Sequence, residues 1–296
     1  MTNALPQHEP QLELISASPD MLDLVHTLFV MRAGKGETRS VLPAYSAQLL
    51  SFVAGRVEMQ FPEREARRSS DITLKAPMLR AAPMILDGPV LSVGASFTPL
   101  GWATFSGLAA DKTHDTAFPA DTLIADEALS AVKAALPECR SGAISPEAYS
   151  RVIEDMIRTV CASPQRQPRA DHRELVRAID AWLASAFNPS IKTLYDSVEL
   201  GQRQVQRLCR RYFGVPPAQL IKRYRAIRAA MLLAHDDLSD DLRDEVLEAY
   251  FDQAHLINDV RRYTGRTPRS LTREPLAQDM LDPDGHGRSG KRLRDS

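Results

Sequence analysis

Cysteine is scarce: Cys139, Cys161 and Cys209 are the three in 296 residues, far apart and odd in number. They form no CxxC pair and no disulfide framework, which excludes a disulfide-stapled secreted scaffold and implies a reducing compartment. Long apolar runs are also missing. None approaches the roughly 18 residues of a membrane helix, so no membrane partner is expected. Met1 to Asp20 lacks a basic stretch followed by an apolar core, so no secretory leader is expected either. These absences point to a soluble, cytoplasmic chain. Net charge is nearly absent, with 37 basic against 38 acidic residues. A signal for nucleic acid must therefore come from local charge distribution. No GxSxG, P-loop or GxGxxG is present. His26 and His114 stand alone, with no partner at metal-ligand spacing. No catalytic residue, metal or cofactor is assigned, which argues against an enzyme whose N-terminal part does chemistry while the rest tethers it.

What is present is ordinary globular sequence. Apolar residues make up 44% and charged residues 25%, so either half can bury a core, and the length implies roughly two domains. Up to about Phe97 the pattern reads as strands. Leu12 to Ser16 alternates, and so does Arg56 to Phe61, with Val57, Met59 and Phe61 on one face. Gln48–Val53 and Arg56–Phe61, joined at Ala54-Gly55, read as a hairpin. Val90 to Phe97 is another strand. Pro43, Pro62, Pro77, Pro83, Pro89 and Pro99 are placed between strands, where turns belong. After Pro99 the pattern turns helical, through Trp102, Phe105 and Leu108, then Asp121–Leu136 and Pro146–Val160. Ser145-Pro146-Glu147 is a good helix start. Trp102 and Phe105 suit core packing or the lining of a pocket.

The fold class implied is α+β: a β-rich N-terminal domain with a helical extension, then an all-α domain. The boundaries read as 1–118 for the sensor-like β domain and 119–161 for a helical segment suited to dimerisation. A linker at 162–170, the helical domain at 171–274 and a disordered tail at 275–296 complete them. Within the helical domain the spacing predicts helices over 171–187, 191–198, 202–213 and 217–233. A second short–turn–long set follows, with helices over 242–249 and 252–263. The two sets end alike, in Arg210-Arg211-Tyr212-Phe213-Gly214 and Arg261-Arg262-Tyr263-Thr264-Gly265. Gly214 and Gly265 sit where helices usually stop, and such a duplicated ending is more informative than either copy alone.

Charge is distributed unevenly over these helices. Gln202 to Ala230 carries eight basic residues and no acid, whereas Asp236 to Glu248 carries seven acids against Arg243 alone. Arg203, Gln206, Arg207 and Arg210 form one polar stripe, opposite Val205, Leu208 and Phe213. A helix in a major groove needs this arrangement: donors toward base edges and phosphates, and an apolar back held by a scaffold. A solvated basic helix face is the competing reading.

Leu200 to Leu208 followed by Gly214-Val215-Pro216-Pro217 resembles the first helix-turn-helix of AraC-type (AraC/XylS family) transcription regulators. Tyr250 to Leu256 followed by Arg261 to Pro268 resembles the second. The likeness covers Asp171 to Arg273 and implies two reading heads held apart by the long helix. It implies double-stranded DNA as partner, with Arg203, Gln206 and Arg207 reading bases from the first head and Gln253, His255 and Asn258 from the second. Arg210, Arg211, Arg261 and Arg262 suit phosphates, which position without reading sequence. His255 also suits a structural role, and Asp252 suits an N-cap. The family's small residue and turn Gly are replaced by Tyr195 and Glu199 in the first unit. In the second, Ala249 replaces the turn Gly or one residue is absent. Gly88 to Gly101 is similar to the β-rich domain that precedes this head in some members, which implies a small-molecule effector or a homodimer. A protein–protein adaptor that keeps the helices without reading DNA is the alternative.

Overall fold

A computed structural model describes residues 10–233, 244 and 246–271. The tail from 275 lies outside them, as does most of the acidic stretch Asp236–Glu248. The N-terminal half is a seven-stranded sheet of β1 (Gln11–Ile15), β2 (Val25–Leu42), β3 (Gln48–Met59), β4 (Arg67–Arg68), β5 (Ile72–Lys75), β6 (Ala82–Phe97) and β7 (Ala117–Pro119). The order is β1-β2-β6-β3-β5-β7, with β4 on β3, and every pairing is antiparallel.

Two expectations about the strands are corrected. Gln48 to Met59 is one strand rather than a hairpin, and both its halves pair with β6. Gly55, at φ +67°, makes a bulge where a turn was read, and the register shifts on each side of Ala54. Period-two alternation looks the same whether two runs fold on each other or share a partner. Pro83 and Pro89 lie inside β6 rather than between strands. The carbonyl of Pro83 still serves the sheet, accepting from Gln60 N–H at 2.9 Å.

Both faces of the sheet are covered. One packs on α1 (Pro99–Ser106), α3 (Asp126–Ser141) and α4 (Pro146–Cys161), around Trp102, Phe105, Tyr149 and Ile153. The other gathers Phe29, Phe52, Met59 and Met84. Between α1 and α3 runs the short α2 (Ala110–Thr113). Ser145 caps α4 as its sequence implies, its Oγ accepting from Ala148 N–H. The helix expected from Asp121 begins instead at Asp126, after a 3-10 turn at Ala120–Thr122. It also runs past Pro137 to a stop at Gly142. All three cysteines are free and buried, and burial pushes the Cys161 and Cys209 thiols up to about 12. None of the helices is long and apolar enough to cross a membrane, among the described residues.

The C-terminal half is helical: α5 (Ala170–Ala184), α6 (Ile191–Asp196), α7 (Gln202–Phe213), α8 (Pro217–Leu233), α9 (Gln253–Thr264) and α10 (Pro268–Leu271). Asp244 and Val246–Glu248 are also helical. The long α8 serves two cores. Its first turns put Leu220 and Ile221 among Trp182, Leu194, Val205 and Leu208. Its later turns put Ala226, Ala229 and Ala230 among Val246, Leu256 and Val260. Small residues there let α9 approach the α8 backbone closely, so one helix joins both units.

Candidate nucleic-acid interface

The two candidate recognition helices, α7 and α9, are built alike. Each has 12 residues and ends at a left-handed glycine, Gly214 at φ +82° and Gly265 at φ +72°. Each glycine N–H closes on the same carbonyl of its repeat, Arg210 O at 2.9 Å and Arg261 O at 2.8 Å. The starts differ. Gly201 caps α7 without a side chain, whereas the Asp252 carboxylate accepts from His255 N–H at 2.7 Å. Asp252 is the N-cap its position implies, and such a cap contributes about 1 kcal/mol. The replaced turn residues cause no strain. Glu199 and Ala249 are not among the positive-φ residues, so both turns close without the left-handed geometry that glycine supplies.

The first head turns Arg203, Arg207, Arg210 and Arg211 to solvent, while Val205, Leu208, Cys209, Tyr212 and Phe213 are buried. Gln206 is half-buried and donates to Tyr195 Oη at 3.2 Å. In the second head Gln253, Asn258, Arg261 and Arg262 are exposed, over a buried back of Leu256, Val260 and Tyr263. Aligning Gly265 with Gly214 sets Ala254 at the place of Arg203, Ile257 at that of Gln206 and Asn258 at that of Arg207. The second head therefore offers fewer long donors. His255 is half-buried, with Nε2 3.3 Å from Asp259 Oδ2 and its ring edge-on to Tyr250. Neither Arg261 nor Arg262 pairs with Asp259, which faces Arg225 and His255 instead.

Two features escaped the sequence reading. Phe251 is 93% exposed, immediately before the N-cap of α9. Its signal was available, because the aligned Leu200 precedes the first cap in the same way. The second concerns the basic segment from Gln202 to Ala230, which does not all face one way. Arg223 and Arg228 are buried, and Arg225 is half-buried. Arg228 donates to Ala186 O at 2.8 Å and to Leu183 O, satisfying carbonyls that the end of α5 leaves open. Burial pulls its guanidinium down to about 10. Arg225 lies 4.3 Å over the Tyr250 ring and donates to Ala249 O at 3.0 Å, bracing the second turn. Charge counting cannot separate such interior arginines from a groove-facing set.

The ends of both α7 and α9 dock on the N-terminal half. Ala44 N–H donates to Tyr263 O at 2.6 Å and Ala81 N–H to Arg262 O at 3.0 Å. A helix leaves its last carbonyls without intrahelical partners, and here sheet-domain backbone supplies them. Arg266 reaches back, donating to Val41 O at 3.1 Å and Ser40 Oγ at 3.2 Å. At the other helix end Leu79 lies against Gly214. Asp115 holds the Leu79 segment by accepting from Leu79 N–H at 2.8 Å and bonding His114 Nδ1 at 2.9 Å. His114 is thus satisfied by its neighbour in a structural role. Among the described residues no His, Cys, Asp and Glu cluster suits a metal ion.

Residues 194–274 match the family model described as a helix-turn-helix domain. No curated protein sequence matches the chain. Among solved structures, ToxT from Vibrio cholerae O395 is similar at 8% identity and TM-score 0.46, over 91% of this chain and 98% of that one. An unsaturated fatty acid bound form of ToxT from Vibrio cholerae strain SCE256 gives 7% and 0.45, over 92% and 98%. The AraC-like transcriptional activator CuxR gives 11% and 0.31, over 82% and 87%.

Proposed function

We infer from an AraC-type helix-turn-helix domain over residues 194–274 that this chain is a transcription regulator that binds double-stranded DNA in a sequence-specific way. The observation that supports it most is the matched pair of recognition helices, alike in length and in glycine stop, on one rigid helix. Arg203, Gln206 and Arg207 read bases from the first helix. Gln253, His255 and Asn258 face the groove from the second, and Phe251 offers its ring to a thymine methyl. Arg210, Arg211, Arg261 and Arg262 hold phosphates. Control comes from the N-terminal half, whose backbone caps the end of α9 and packs on the end of α7.

Measuring affinity for a duplex against salt tests this reading. Four phosphate-directed arginines predict a log–log slope near −4, from about −0.9 per neutralised phosphate. Arg261→Ala should make the slope shallower by about 1 and weaken all sequences alike. A flat salt dependence, or no binding at low salt, would instead favour a protein–protein adaptor.

A further inference from the structure

His255 and Asp259 stand one turn apart on α9, where side chains at i and i+4 are neighbours. The carboxylate oxygen Asp259 Oδ2 is buried and has no hydrogen bond among the described residues. Two nitrogens face it, His255 Nε2 at 3.3 Å and Arg225 Nη2, from α8, at 3.6 Å. Arg225 already donates through Nη1 to Ala249 O and lies over the Tyr250 ring. That ring, from the preceding turn, stands edge-on to the imidazole. The Asp252 carboxylate at the helix start is taken by the His255 backbone N–H. His255 Nδ1 has no hydrogen bond among the described residues, and the side chain is 40% exposed.

A neutral imidazole carries one N–H and one lone pair, and the partner of one nitrogen decides where the proton sits. A carboxylate oxygen only accepts. A lone pair on Nε2 would repel it at 3.3 Å, so the proton belongs on Nε2, where it supplies the donor that the buried oxygen lacks. Nδ1 is then left as a bare acceptor. In the major groove an acceptor meets the amino groups of adenine and cytosine, whereas guanine N7 and O6 and thymine O4 repel it. We propose that Asp259 is a positioning residue that makes His255 a reader of base amino groups, so that the second sequence element favours adenine or cytosine at one step. Protonation of the ring keeps Nε2–H toward Asp259 and adds a donor at Nδ1, which turns the same step toward guanine. The tautomer follows from the pair alone, whereas the base preference rests on the DNA-binding reading above.

Nitrogen-15 NMR of the full-length protein reads the tautomer without DNA, the His255 signal being assigned by its loss in His255→Ala. At about pH 8, above the usual range of histidine protonation, the Nε2–H form is expected. In Asp259→Asn, whose amide donates as well as accepts, the Nδ1–H form should grow. Duplex selection at about pH 8 and about pH 5.5 reads the consequence. One step of the second element should prefer adenine or cytosine to guanine by about tenfold at the higher pH, and lose or reverse that preference at the lower. Asp259→Asn should flatten it at the higher pH, and His255→Ala at both. Groups that titrate elsewhere in the chain change affinity for all sequences and leave this one step alone. An Nδ1–H tautomer in the unsubstituted protein overturns the proposal. So does an unchanged base preference with higher affinity for every sequence in acid, which would make His255 a phosphate contact. A purely structural Asp259 would lower the unfolding midpoint of Asp259→Asn with tautomer and preference unchanged, and that also overturns it. If Asp259→Asn fails to fold, the unsubstituted tautomer and the pH comparison decide. Absence of DNA binding at either pH overturns the proposed function and the base reading with it, and leaves the tautomer result standing.

Discussion

Arg207→Ala is expected to lower affinity for a preferred duplex by about ten- to a hundredfold and to leave affinity for a scrambled duplex nearly unchanged. One bidentate arginine–guanine pair discriminates by roughly 1–3 kcal/mol, and little of that is available to a sequence without the matching base. Arg207 is exposed on α7, with no carboxylate partner among the described residues. Removing it therefore breaks no hydrogen bond or ion pair among the described residues, and the fold should be intact. Gln253→Ala, measured beside it, should cost less. The second head has Ala254 and Ile257 where the first has Arg203 and Gln206, so its contribution leans toward placement. Phe251→Ala should relax the preference at a single thymine and leave the salt slope unchanged, because it carries no charge. A larger loss from Gln253→Ala than from Arg207→Ala would reverse the assignment of the two heads. Equal loss on both duplexes from Arg207→Ala would make that residue a phosphate contact.

Gly265→Ala is expected to destabilise the C-terminal half by about 2–4 kcal/mol, against about 1–2 kcal/mol for Gly142→Ala. Both glycines stop a helix in the left-handed region, at φ +72° and +78°. Both variants thus incur the backbone cost of an L-residue there, roughly 1–2 kcal/mol. They differ in surroundings. A Cβ at Gly142 meets nothing within 4 Å, whereas one at Gly265 collides with Val41 Cγ1 and reaches Ala81 Cβ at 3.2 Å. The excess at Gly265 measures how firmly the sheet domain grips the second head, since Ala44, Ala81 and Arg266 bond across the same place. Denaturant unfolding followed by Trp182 fluorescence in a Trp102→Phe background reads the C-terminal half for Gly265→Ala, and by Trp102 fluorescence in a Trp182→Phe background reads the N-terminal half for Gly142→Ala. Equal costs at the two glycines would mean that the grip is weak.

The parts of this architecture legible in the sequence are those set by local chemistry. The range 202–213 is identical in expectation and structure because Gly201 and Gly214 bound it and the apolar face repeats between them. Pro217 opens α8 and Asp252 caps α9 for equally local reasons. Features that depend on distant partners were not legible. The bulge at Gly55 needs β6 beside it, and the alternation of β3 carries no record of which strand that is. Arg223, Arg225 and Arg228 add to a basic count, yet their helix is wedged between two cores and a sheet domain. The capping of Arg262 and Tyr263 carbonyls by Ala81 and Ala44 joins segments about 180 and 220 residues apart in the chain. No periodicity or motif encodes it.

Selection of bound duplexes from a randomised pool by the full-length protein tests the central claim most directly. Two heads fixed on one helix should enrich a single site with two sequence elements about one helical turn, roughly 10 bp, apart. The element facing α7 should carry guanine steps and the higher information content. Enrichment of no sequence, or of one element without the second at fixed spacing, would contradict the account.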